Sequence, residues 1–297
     1  MNNDNQRGSG PSVSAPIGAI PKAGMLADLG PRFASGIVMI VVALAALWVG
    51  SDYFVLFWLC AGLAIIWEWQ RMIDAPALRW RVVAGGVALV AITVLTRHLA
   101  VDLAIPFLIV GCLVLGWLAG PGKRIWAAGG LVYAAGLVAS VTMLRLSLFD
   151  GFEAILWLFA VVWGTDIMAY MGGRLIGGPK LWPAVSPKKT WAGFLTGVFC
   201  GAALGVAAVW FFHPVPPSNV KILFFIGLAT AAVSQGGDLF ESAMKRHFGV
   251  KDSSQLIPGH GGFMDRLDGF LFAAIFAALI GAIKQGPGAI AIGVLRW

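Results

Sequence analysis

Charged residues are scarce in this sequence. Only 12% of its 297 residues are Asp, Glu, Lys or Arg, against about 25% in an ordinary soluble domain, while 59% are hydrophobic. A soluble fold of this length cannot hide so much apolar surface, so lipid must solvate much of it. Cysteine is almost missing too. Cys60, Cys112 and Cys200 lie far apart inside apolar stretches. That spacing excludes a disulfide framework or a zinc site and leaves small buried hydrophobes. Acidic residues number 14 against 21 basic ones, a net charge of +7. The basic residues stand in short clusters between apolar segments, as in membrane proteins, and this argues against nucleic acid as a partner. Period-two alternation is also lacking, and a lipid-facing barrel would need it. Inside a bilayer each segment must satisfy its own backbone, which leaves helices.

Residues 1–31, rich in Gly, Pro, Ser and Asn, lack the charged start and early apolar run of a signal peptide and are expected to form a flexible polar tail. Apolar runs near 33–50, 53–67, 82–96, 99–120, 125–144, 152–171, 191–213, 221–238 and 267–283 come close to the roughly 20 residues that a span requires. The expected class is therefore an all-α polytopic integral membrane protein with about nine transmembrane helices. Its N-terminal helices would occupy 32–158, a catalytic transmembrane region 159–284, and a short tail 285–297. If the N-terminus is cytoplasmic, only Arg97, Arg145, Lys221, Lys284 and Arg296 fall on the far side. Sixteen of the 21 basic residues then face the cytoplasm, a strong positive-inside bias. Tryptophans such as Trp67, Trp69, Trp80, Trp182 and Trp191 sit near segment ends, as interfacial anchors do.

Two connecting stretches are too polar to be mere linkers: Asp166 to Trp191 and Ser234 to Gly269. Asp166 falls in the last turns of the sixth helix, Asp238 at the end of the eighth, and Asp265 and Asp268 on one face at the start of the ninth. Ionised carboxylates at the edge of a low-dielectric region need compensation, and a divalent cation supplies it. Lys188, Lys189, Lys245, Arg246, Lys251 and Arg266 carry enough positive charge to hold a polyphosphate. Pro258-Gly259-His260-Gly261-Gly262 forms a turn able to present N–H groups to an anion, and Gly172-Gly173 and Gly177-Gly178 flank Arg174 similarly. His260 could be a general acid or base, a ligand, a phosphate donor or a structural hydrogen-bonding group.

The second stretch resembles the signature of the phosphatidate cytidylyltransferases, also called CDP-diacylglycerol synthases. It reads Ser242-Ala-Met-Lys245-Arg246, then Lys251-Asp252, then His260-Gly261-Gly262-Phe-Met-Asp265-Arg266-Leu-Asp268. Ser234-Gln-Gly-Gly-Asp238-Leu-Phe-Glu241, Asp166, Gly173-Arg174 and Ser186-Pro187-Lys188-Lys189-Thr190-Trp191 look like the family as well. Ala192 departs from it, since many relatives carry Glu there. The resemblance covers roughly 160–270 and leaves the N-terminal third unmatched.

It implies that CTP and phosphatidic acid give CDP-diacylglycerol and pyrophosphate, with Mg²⁺ and with a second cation left open. Implied catalytic residues are Asp238, Asp265, Lys245, Arg246, Lys251, Asp252, His260 and Arg266. Arg174, Ser186, Lys188, Lys189, Ser242, Gly261 and Gly262 would bind substrate, and Asp238, Asp265, Asp268 and Asp166 the metal. The expected setting is a bacterial inner or plasma membrane with the site facing the cytoplasm, and a homodimer remains open. Two other classes compete: a CTP-dependent lipid-alcohol kinase, and an ion-coupled transporter.

Overall fold

The computed structural model describes residues 29–212, 219–257 and 261–297. Its helices are α1 Leu29–Val49, α2 Ser51–Met72, α3 Leu78–Arg97, α4 Val101–Ala119, α5 Arg124–Arg145, α6 Gly151–Leu175, α7 Trp191–Phe212, α8 Val220–His247, α9 Met264–Gln285 and the short α10 Ile290–Leu295. A single hairpin, β1 Lys180–Trp182 and β2 Ser186–Thr190, joins α6 to α7. Among the described residues eight helices, α2 to α9, are long and apolar enough to cross a bilayer, and Gly36–Val49 of α1 is a shorter apolar stretch. The protein is an all-α polytopic membrane protein, and each apolar run expected from the sequence is a helix. Most of the expected N-terminal tail lies outside the described residues.

Long-range contacts sort the helix ends into two sets. At one end Trp69 Nε1 donates to Trp126 O (2.7 Å) and Gln70 Nε2 to Ala127 O (2.8 Å), tying the end of α2 to the start of α5. At the other end Arg97 pairs with Asp52 (2.6 Å) and Arg296 with Asp150 (2.5 Å). The described residues expected to carry chemistry all belong to the first set. Trp69 is buried by this contact, so it is a packing residue and not the interfacial anchor its position suggested. Arg81 is likewise no lipid-facing charge. It is fully buried, and its guanidinium donates to the carbonyls of Gln70 (3.0 Å), Ala75 (2.6 Å) and Pro76 (2.8 Å), closing the α2–α3 turn. Cys60, expected to be buried, is exposed on the bundle surface.

Helices α6 and α7 pack along their whole length because α7 carries a glycine every fourth residue. A Cβ on Gly193, Gly197 or Gly201 would come within 2.7, 2.7 and 2.8 Å of the carbonyls of Ala169, Thr165 and Val161, and one on Gly205 would meet the Trp157 indole at 2.9 Å. Residues four apart share a helix face, so these glycines form a flat strip against the α6 backbone. Gly177 and Gly178, both at positive φ, turn the chain out of α6 and into the hairpin. Thr190 Oγ1 then accepts the Gly193 N–H (3.1 Å), starting α7 with a capping hydroxyl.

The C-terminal segment is less of a tail than expected. Ile290, Ala291, Val294 and Leu295 are buried, Ala291 N–H bonds Ser147 Oγ (3.1 Å), and Lys284 donates to the Arg296 carbonyl.

Gly201→Leu would push a side chain into the α6 backbone. We expect it to destabilise the protein by at least ~1–3 kcal/mol, seen as a lower midpoint of thermal unfolding in detergent. Gly236→Ala, where an added Cβ meets nothing within 4 Å, should leave that midpoint unchanged or raise it slightly.

Candidate active site

The expected carboxylates meet, and they lie deeper than the sequence suggested. Asp166 precedes the end of α6 at Leu175 by nine residues, and Asp238 precedes the end of α8 at His247 by nine. At ~1.5 Å per residue that is roughly 14 Å inside each helix end. Asp265 and Asp268 occupy the first and second turns of α9. Close approach of α8 and α9 brings two of these groups together: a Cβ on Gly237 would stand 2.6 Å from the Asp268 carbonyl. Asp166 and Asp268 each lie within electrostatic reach of Asp238 and of one another.

Two lysines neutralise this acidic floor. Lys245 Nζ sits between Glu241 Oε2 and Asp265 Oδ1, 2.7 Å from each. Glu241 and Lys245 are one helical turn apart on α8, the spacing at which side chains stack on one face. Lys189 comes from β2 and reaches Asp238 Oδ2 (2.7 Å) and Gln235 Oε1 (3.0 Å), locking the hairpin onto α8. Ser242 Oγ lies 3.5 Å from Asp238 Oδ1.

Asp265 is the most heavily engaged of the four. Besides Lys245, it accepts from Ser253 N–H (3.0 Å), Ser253 Oγ (2.9 Å) and Gly262 N–H (2.8 Å). Among the described residues Asp268 has fewer partners: its Oδ1 accepts from the Gly269 N–H (2.8 Å).

These groups line one end of a cavity of about 950 Å³. Arg174, Lys188, Asp252 and Arg266 also face it, with Arg174 held by the Tyr170 hydroxyl (2.9 Å). The cavity then runs between helices into an apolar half formed by Met39 and Ala43 of α1, Phe57, Trp58 and Ala61 of α2, Phe159, Val162 and Trp163 of α6, and Phe270 of α9. Trp58 stacks on Phe270 with ring centroids 4.8 Å apart.

Eleven of the expected site residues share this cavity: Asp166, Arg174, Lys188, Lys189, Asp238, Ser242, Lys245, Asp252, Asp265, Arg266 and Asp268. Ser186, Arg246, Lys251, Gly261 and Gly262 lie outside its lining. The Gly262 amide, expected to meet an anionic substrate, is taken by Asp265. His260 lies outside the described residues.

Sequence reasoning left three contributors off its site list: Glu68, Gln235 and Glu241. Glu241 carried a signal in its one-turn spacing from Lys245. Glu68 carried only a weak one, as an acidic residue just past the end of the apolar run 53–67.

Among the described residues no three Asp, Glu, His or Cys side chains form a ready-made metal cage. Mg²⁺ does not require one, since it is usually held by one or two carboxylates together with substrate phosphate oxygens. Three carboxylates in mutual electrostatic reach, with few protein donors on Asp268, are a donor set suited to such a hard cation.

The model of the cytidylyltransferase family matches residues 31–283, most of the chain and all of the cavity. The chain belongs to the cytidylyltransferase family. A phosphatidate cytidylyltransferase of Brucella abortus biovar 1 (strain 9-941) is 40% identical over 269 residues, 88% of this chain and 96% of that protein. One from Brucella suis biovar 1 (strain 1330) is equally similar over the same span. One from Staphylococcus aureus (strain COL) is 46% identical over 125 residues, 41% of this chain and 46% of that protein.

Lys245→Met would leave Glu241 and Asp265 without their shared cation. Breaking a buried pair this way typically costs ~3–5 kcal/mol, so the variant should unfold at markedly lower temperature in detergent. Adding Glu241→Gln to it should recover part of that loss. An unchanged midpoint in Lys245→Met would show that the triad contributes nothing to stability, and equal loss in both variants would show that the uncompensated Glu241 charge is not the cause.

Proposed function

We propose that this protein is a phosphatidate cytidylyltransferase, converting CTP and phosphatidic acid to CDP-diacylglycerol and pyrophosphate in phospholipid biosynthesis. The observation that carries this reading is a single cavity with two chemistries. Its charged half suits a nucleotide triphosphate and a phosphomonoester, and its apolar half, lined by α1, α2, α6 and α9, suits acyl chains. A soluble nucleotide and a membrane lipid can therefore meet without either leaving its own phase.

The reaction asks little of a base. The phosphatidate monoester is largely dianionic near neutral pH, because the second ionisation of a phosphomonoester lies near ~6. One of its oxygens attacks the α-phosphorus of CTP, the bond from that phosphorus to the bridging oxygen of the β-phosphate breaks, and pyrophosphate leaves with the electron pair. The obstacle is that an anion must approach a polyanion, so positioning and charge neutralisation dominate. Lys189 and Lys245 are anchored by carboxylates at fixed points in the cavity and oppose the charge of the reacting phosphates. Arg174, Lys188 and Arg266 contribute positive charge from the rim. Asp238 and Asp268, with Asp166 beside them, would hold Mg²⁺, which would neutralise phosphate charge and favour departure of pyrophosphate. Asp265, also expected among the ligands, is read here chiefly as the residue that fixes Lys245 and the loop at Ser253.

Orientation completes the proposal. The basic residues concentrate at the end of the bundle that bears the cavity, so the positive-inside rule turns this end to the cytoplasm, where CTP is found. The bacterial relatives suggest the plasma membrane as its location.

Purified protein given CTP, phosphatidic acid and Mg²⁺ should release pyrophosphate and CDP-diacylglycerol in equal amounts, and EDTA should stop both. Release of CDP with phosphorylation of a lipid alcohol would move the assignment to a kinase, and no consumption of CTP would revive the transporter. Asp238→Asn and Asp268→Asn should each lower turnover by more than the ~10–100-fold typical of outer-shell metal partners, with the protein still folded. Ala43→Trp, which fills the apolar half, should raise KM for long-chain phosphatidic acid and leave KM for CTP unchanged.

A further inference from the structure

Glu68 stands in α2, in the part of the chain that no motif marks, and it is fully buried. Burying a carboxylate is costly unless donors surround it. Three do so fully, Ser254 Oγ (2.6 Å) and Phe263 N–H (2.9 Å) donating to Oε1 and Met264 N–H (2.8 Å) to Oε2, and the Ser253 hydroxyl, 3.2 Å from Oε2, shares its one proton between Glu68 and Asp265. Every one of these donors belongs to the segment that leads into α9 or opens it.

The first turn of α9 needs outside help. Phe263, at its N-cap, has no side chain able to cap, so the first N–H groups of the helix lack partners from their own sequence. Glu68 supplies them from 195 residues away, and its negative charge suits the positive end of the helix dipole. The same turn carries Asp265, and the next carries Asp268. Ser253 lies between the two carboxylates, its hydroxyl within reach of both Glu68 and Asp265 Oδ2 (2.9 Å). Gly262 leaves room for this arrangement, since a Cβ there would collide with Ser253 Oγ and Glu68 Oε1. An aspartate one carbon shorter could not span the same donors.

We propose that Glu68 is a positioning residue for the cytidylyl transfer: it fixes the start of α9 and the Ser253 loop, and through them sets Asp265, Lys245 and Asp268 relative to the substrate phosphates. Glu68 touches no substrate in this role. It acts on the rate of the bound complex more than on the binding of either substrate. The inference rests on the cytidylyltransferase reading.

The test is steady-state kinetics in detergent for wild type, Glu68→Ala, Glu68→Gln and Ser254→Ala, with amide hydrogen exchange measured on the same preparations. Outer-shell supports of this kind are typically worth ~10–100-fold, so Glu68→Ala should lose that much kcat, with KM for CTP and for phosphatidic acid held within about threefold. Glu68→Gln, which keeps one acceptor oxygen, should recover part of the loss, and Ser254→Ala should lose roughly threefold. In Glu68→Ala the amides of Phe263 and Met264 should exchange about tenfold faster or more. If Glu68→Ala yields no folded protein, Glu68→Gln and Ser254→Ala carry the same comparison. Wild-type kcat in the variants, or unchanged exchange at Phe263 and Met264, would overturn the proposal. So would a loss of rate that tracks only the amount of folded protein. Failure of the wild type to make CDP-diacylglycerol would instead overturn the reading on which it rests.

Discussion

The structure depends on holding several carboxylates together within a membrane-spanning bundle. In a low-dielectric surrounding, like charges at close quarters repel strongly and ionised groups lose their hydration. Here Asp166, Asp238, Asp265, Asp268 and Glu241 face one cavity, and Lys189 and Lys245 are placed by separate elements to offset them. That compensation is partial: with Asp252, Arg174, Lys188 and Arg266 included, six carboxylates face five basic side chains. The remaining demand for positive charge is what makes the cavity suited to a cation and its phosphate ligands.

Bringing these groups together is a packing problem before it is an electrostatic one. The glycine strip on α7 lets α6 approach at backbone distance, and Gly237 does the same for α8 and α9. Bulkier residues at those positions would widen the helix spacing, and Asp166, Asp238 and Asp268 would no longer share one charged floor. The hairpin adds Lys189 to that floor from outside the bundle, with Thr190 and the paired glycines at 177 and 178 fixing where it leaves and rejoins the helices.

The N-terminal half supports the site without carrying a recognisable motif. Arg81 and Gln70 close the turn after α2 and tie it to α5. Glu68, two residues before Gln70, reaches the start of α9. Trp58 stacks on Phe270 and aligns the same two helices deeper in the bundle. The half of the chain that looks like generic membrane anchor thus forms one wall of the cavity's apolar half and braces its acidic half.

The amino-acid sequence by itself determined the class of the fold and where its long helices lie, because apolar runs of spanning length leave no alternative to helices in lipid. It also marked the two polar stretches whose residues line the cavity, since Asp, Lys and Gly at close spacing have no place in a lipid-facing connector. The glycines of α7 at intervals of four were legible in the same way, though such strips read as ordinary membrane-helix composition until a partner helix is known. The tertiary structure alone decided which of those residues converge. Lys189 reaches Asp238 across 49 residues and Glu68 reaches Met264 across 196, and periodicity, which reports only a residue's own helix, has no information about such pairings. It decided as well that Lys251, Arg246 and Gly262 stand back from the cavity while Gln235 and Glu241 face it. Those outcomes follow from helix rotation and close approach, which are set by packing between segments and not by the order of residues within one.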